Sequence, residues 1–191
     1  MHIRSLVLVL SATLVGCGIP LPFVNFAAQV SLKSVEPATV TVSYTKDATN
    51  QVTASFKNPV VTLEGAPGSV GALFTSMELT ALDPGNPANL LPLFANSQNR
   101  AIVPITLRVA TSALREDPRA GTVNPVGQDQ QKIVLGQGKA ELPVVSNGIL
   151  EHGKTRTNGP LTVSARLSGK DDAQWPLSLE VLVPVAFSGG N

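Results

Sequence analysis

The chain has 191 residues with 14 basic and 13 acidic side chains, and charged residues make up only 14% of it, against about 25% in an average globular protein. A formal net charge of +1 leaves no basic field to draw in nucleic acid. Aromatics are 4%, with Trp175 and Tyr44 the sole Trp and Tyr, too few for recognition by stacked bases or sugar platforms.

At the start of the chain, Met1 to Ser5 carry Arg4 and His2, and Leu6 to Val15 are apolar apart from Ser11 and Thr13. A helix of this length reaches ~15 Å, half of the ~30 Å hydrocarbon core, and is too short to span it. A positive start, a short apolar run and small residues ahead of a cut are the marks of a secretory signal. The run closes on Leu14-Val15-Gly16-Cys17. In these residues the segment resembles a bacterial lipoprotein signal peptide, over residues 1–17 alone. The resemblance implies Leu14 at the branched apolar position and Val15 and Gly16 at the small or permissive ones, although Val15 is bulkier than the common Ala or Ser. It further implies cleavage between Gly16 and Cys17, and Cys17 as the site of lipid attachment, carrying acyl chains such as palmitate. Cys17 is the only cysteine, so after export its thiol has no partner within the chain, and acylation removes that liability. Each buried CH₂ contributes ~0.8 kcal/mol, so two or three chains hold a protein stably on a membrane. Gly18 stands where an Asp retains many members of the family in an inner membrane. The expected localisation is therefore extracytoplasmic and membrane-anchored, at the outer membrane where the source has two.

Residues 1–16 thus read as the signal, and 17–27 as the lipidated N-terminus with a short tether. From Gly18 to Ala28 the tether runs Gly-Ile-Pro-Leu-Pro-Phe-Val-Asn-Phe-Ala-Ala. Fully extended it reaches ~40 Å. It is neither a flexible Gly/Ser linker nor a charged one, and its apolar character favours docking on the domain or lying at the membrane surface.

Beyond the tether, period-two alternation recurs, as expected of half-buried strands. It shows in Val30 and Leu32; in Val40, Val42 and Tyr44; in Val52, Ala54 and Phe56; in Val61 and Leu63; and in Leu73, Met77 and Leu79. It returns in Ile105, Leu107 and Val109, in Ile133 and Leu135, and in Leu142 and Val144. The longest runs are Leu161 to Leu167 and Leu177 to Phe187. The expected fold is all-β: a single antiparallel β-sandwich over 28–188, Ig-like or Greek-key, with a barrel as the alternative. Ser112 to Glu116 allow one helical turn. Pro104, Pro143 and Pro184 should mark edges, bulges or strand ends, since proline lacks the ladder donor. Three loops are expected, at 83–99, 115–130 and 146–160, the last opening on the hairpin pair Asn147-Gly148. The 83–99 loop carries Leu90, Leu91, Leu93 and Phe94, which either fold back as a lid on the core or form a flap over a ligand cavity.

Chemistry-bearing residues are sparse. His152, beside Glu151, reads as a solvated loop residue, and no Gly-x-Ser-x-Gly elbow supplies a nucleophile for it. Zinc needs three or four ligands that the chain lacks. Asp83, Asp129, Asp171 and Asp172 could offer oxygen to calcium but lack the spacing of a calcium loop, and Asp171-Asp172 reads as a solvated hairpin turn. Gly136-Gln137-Gly138 reads as a second hairpin. Trp175 reads as a partly buried edge of the core. No catalytic, cofactor-binding or metal residues are assigned and no cofactor is expected. The function expected is a non-catalytic structural or interaction module of the cell envelope, partnered by the membrane through its acyl chains and by other envelope proteins. The alternatives are a binding protein for a small apolar ligand and, third, a hydrolase.

Overall fold

The structure, a computed structural model, describes residues 28–94, 98–116, 131–154 and 159–189. One sheet has the order β1 (Val30–Glu36), β4 (Val60–Gly65), β10 (Gln137–Glu141). A second runs β3 (Val52–Ser55), β2 (Val40–Lys46), β12 (Pro176–Ser188), β11 (Leu161–Asp171), β5 (Ala72–Asp83). Along the far side of β5 lie β6 (Asn86–Leu90) at one end and β7 (Ala101–Val109) over the rest. A hairpin of β8 (Ala113–Glu116) and β9 (Gln131–Val134) and one short helix, α1 (Asn147–Gly153), complete the described elements.

The chain is a β-sandwich. Its first strand β1 pairs with β4 in one sheet; then, past the cis peptide Glu36–Pro37, β2 crosses to the other sheet and joins the last strand β12. With β12, β11 and β5 as successive neighbours, this is the order of an immunoglobulin-type Greek key. The strands pair antiparallel with one exception among the described residues: β2 runs parallel to β12 from Val40–Val185 to Ser43–Ser188. The second sheet also curls. The end of β7 comes against β10, where the Ala110 N–H donates to the Gln137 carbonyl at 3.4 Å. One side of the sandwich is thereby nearly closed, as in a barrel, while the other, between β1 and β12, stays open.

The alternating residues of β11 and β12 face inward as the pattern demands: Leu161, Val163, Ala165 and Leu167 meet Val181, Val183 and Val185, all buried. Each buried Leu or Val contributes roughly 1.5–3 kcal/mol. In β5 the phase breaks. Thr75 is an extra residue between the pairs Phe74–Gly169 and Ser76–Ser168, so Phe74 and Met77 both point into the core. Leu73, expected inside, consequently lies on the other face. A matching irregularity in β1 between Leu32 and Ser34 leaves Leu32 exposed.

Several other expectations are corrected. Residues 113–116 form strand β8 rather than a helical turn, because they pair with β9. Residues 147–153 form α1 rather than a hairpin: the Ser146 hydroxyl accepts from the Ile149 N–H, capping a turn whose Ile149 is fully buried. Leu142 and Val144 are buried just past the end of β10, not in a strand. Gly136 sits at a corner between β9 and β10, which belong to different sheets, so no hairpin forms there. A Cβ on Gly136 would run into the Ala110 carbonyl, so the close approach of β7 requires glycine. The prolines fall as expected. Pro104 lies beside a register break, Pro143 past the end of β10, and Pro184 one residue before β2 takes up its place beside β12.

Candidate functional site

Cys17 and Gly16 lie outside the described residues, as does Asp129. Of the remaining residues singled out above, Asp171 is the most changed. It is only 2% exposed, not a solvated turn residue. Its carboxylate accepts from the Ala28 N–H at 3.0 Å and from the Trp175 N–H at 2.8 Å. One buried charge therefore ties the incoming chain to the β11–β12 turn. Such charge-assisted bonds are about twice as strong as neutral ones. Asp172, next in the chain, is in the turn itself and pairs with Arg108 at 2.8 Å.

The same turn presents Trp175. Its side chain is 59% exposed, contrary to the expected core edge. The cause is local: Gln174 has a positive φ of 69°, which turns the chain tightly and carries Trp175 outward before β12 begins. Around this end a polar network joins neighbouring loops. The Gln29 N–H donates to the Ser69 hydroxyl at 3.0 Å, Gly71 N–H to the Thr111 hydroxyl at 3.1 Å, and Asp172 N–H to the Gly71 carbonyl at 3.0 Å. Ser112, buried, receives the Gly136 N–H at 2.9 Å and donates to the Gly65 carbonyl at 3.2 Å.

Two further surfaces bear on binding. The first is the outer edge of β12. β11 pairs with it from Pro176 to Val185, but on the opposite side β2 begins only at Val185. Among the described residues no strand fills the edge from Pro176 to Pro184. Beside it, towards β1, is a cleft of about 440 Å³ reaching Phe74, Leu177 and Leu179. Leu182, 55% exposed, stands on the outer face of the same stretch.

The second is a groove of about 790 Å³ at the opposite end of the sandwich, between α1 and the chain around Leu93, Phe94 and Ala101. Here the 83–99 segment resolves into parts. Asn86–Leu90 is β6, while Phe94 is buried and Leu91 and Leu93 pack on the core. The lid-like folding back thus holds for those three, whereas Leu90 is exposed and residues 95–97 lie outside the described residues. The Asn99 amide donates to the Leu91 carbonyl at 2.5 Å and its oxygen accepts from the Phe94 N–H at 3.1 Å, which pins this stretch. His152 borders the groove in the last turn of α1, its ring 5.7 Å from that of Phe187, rather than standing free in a loop. Tyr44 donates to the Leu150 carbonyl at 2.7 Å, and burial first, then the negative charge of Glu151, raises its phenol above the ordinary value.

Among the described residues no three of His, Cys, Asp and Glu stand close enough to hold a metal, and no helix is long and apolar enough to cross a membrane. Asp83 accepts from the Gly85 N–H at 2.8 Å in the β5–β6 turn. No family model matches the chain, and no curated protein or solved structure gives a match to it.

Proposed function

We propose that the protein is a lipid-anchored module of the bacterial cell envelope that works by binding rather than by catalysis. Acyl chains on Cys17 hold it, at the outer membrane where the source has two, and other envelope proteins are its partners. The observation that carries the binding mode is the open edge of β12 from Pro176 to Pro184, beside an otherwise closed core. Unpaired backbone on a sheet edge is a template for an extended peptide, whose main chain supplies affinity and whose alternate side chains supply specificity. Pro176 and Pro184 bracket the edge, which limits a docking strand to the stretch between them.

The test has two arms. Labelled fatty acid attaches to the native chain and not to Cys17→Ser, which is released from membranes or fails to mature; label retained by Cys17→Ser refutes the anchor. A photo-crosslinking residue at Leu182 captures an envelope protein in native membranes, while the same residue at exposed Ile102 on β7 does not. Equal capture at both positions, or capture at neither, refutes the edge. A second reading, a small apolar ligand, is favoured by the groove beside Leu93 and Phe94. Under it, organic extraction of the purified protein releases a bound apolar molecule.

A further inference from the structure

We infer that the Asp171–Trp175 end of the sandwich faces the bilayer, and that Trp175 is a contact for a lipid surface. The inference rests on the acyl anchor proposed above and adds an orientation to it. Its geometry begins at Asp171, whose single carboxylate fixes both the N–H of Ala28, where the tether ends, and the N–H of Trp175. The described chain therefore begins, at Ala28, beside the backbone of Trp175. Eleven residues from Gly18 to Ala28 reach ~40 Å when fully extended. β12, with 13 residues, spans about 40 Å of its own, so the groove end is set off from the attachment point by the length of the domain.

Three properties of this end suit a lipid interface. Trp175 is exposed, and among the described residues its indole N–H has no partner, leaving an apolar body and a free donor of the kind enriched at headgroup level. The loops around it satisfy one another's backbone groups through Ser69, Thr111, Ser112 and Asp171, so little bare backbone is presented to a poorly hydrated layer. None of its acids stands bare at the surface: Asp171 is buried and accepts from two N–H groups, Asp172 pairs with Arg108, and Glu64 with Lys33. Lys170, exposed beside the turn, adds a positive charge towards anionic headgroups.

Trp175 is the only tryptophan, so its emission reports this contact without labelling. The acylated full-length protein is reconstituted into phosphatidylethanolamine–phosphatidylglycerol vesicles, with and without phosphatidylcholine brominated on its acyl chains. Flotation is measured beside fluorescence. The expected result is a protein that floats, emits at shorter wavelength than Cys17→Ser protein in buffer, and is quenched roughly twofold or more by the brominated lipid. A second variant, Ile102→Trp in a Trp175→Phe background, reports a site on the outer face of β7 and should float without quenching. Protein that floats while Trp175 emits and quenches as it does in buffer overturns the orientation and leaves the anchor standing. Protein that does not float overturns the anchor, and the orientation with it.

Discussion

At the end where the chain enters the domain, five separate stretches are joined through polar atoms. Ala28 and Trp175 share Asp171, Gln29 and Ser112 both bond to Ser69, Gly71 meets Thr111, and Gly136 meets Ser112. At the opposite end, α1 is held mainly by packing: Ile149 is buried, Leu150 lies on the core, and one phenol, Tyr44, reaches its backbone. A network of directional bonds around a buried charge fixes a single geometry, and losing one member strands the others. Packing against one face of a two-turn helix tolerates displacement and yields locally before the rest. The end we place at the membrane is thus the rigid one, and the groove end is the one able to adjust to an occupant.

The largest expected effect lies at the rigid end. Asp171→Ala strands two N–H groups and should lower unfolding free energy by about 3 kcal/mol, read from urea melts as a fall in midpoint at unchanged slope. A loss under about 1 kcal/mol would mean that the carboxylate is not what joins the chain entry to the turn.

Gly148→Ala probes the other end. A Cβ there would meet the Leu93 carbonyl, so α1 must move away. The global unfolding free energy should fall by about 1–2 kcal/mol while hydrogen exchange of the 149–153 amides speeds up far more than that of β11. If β11 amides accelerate equally, the two ends unfold as one and the contrast between them fails.

Tyr44→Phe is smaller, about 1 kcal/mol for the lost bond to Leu150. It carries a pH signature as well. Because the folded phenol titrates above its ordinary value of about 10, the unfolded chain ionises first. The stabilisation is complete below that value and is lost as pH rises through the folded one. The Phe variant should show a flatter alkaline limb in stability measured from neutral pH upward.

The smallest effect is at acid pH. Glu64 is held below the ordinary carboxylate range by the Lys33 ammonium first and the Gln137 amide next, and Asp47 by the Thr49 hydroxyl and then the Gln51 N–H. Both stabilise the fold above about pH 4 and lose that contribution as pH falls through their lowered values. Asp47 is exposed and Glu64 half-buried at the surface, so Glu64→Gln should change stability little at neutral pH and should reduce its acid slope, an effect that shrinks with added salt.

Where alternation ran unbroken, in Leu161–Leu167 and Leu177–Val185, the strands and their inward faces were legible from residues alone. In β5 they were not, because a period of two does not carry through a bulge: Leu73 shares a phase with Met77 and Leu79 on paper and loses it at Thr75. α1 escaped notice because seven residues are too few for a helical period, and Asn147-Gly148 carries stronger turn chemistry than its cap, Ser146, carries helix chemistry. Asp171 and Trp175 show why the surfaces were harder still to read. Adjacent acids before a lone Trp resemble a solvated turn and a core edge, and what reverses them is an N–H arriving from Ala28, 143 positions away. The open edge of β12 is likewise a property of pairing, visible only once β2 is known to join at Val185.

The parallel seam between β2 and β12 also has a mechanical side. The chain enters beside Asp171, passes through β1 into β2, and leaves the domain from the far end of β12. A pull on the tether directed against a load at the end of β12 draws those two strands past each other along their length. The rungs from Val40–Val185 to Ser43–Ser188 then share the load together instead of opening one after another like a zip. The pairing of these two strands is in this respect set to resist shear along the long axis of the domain.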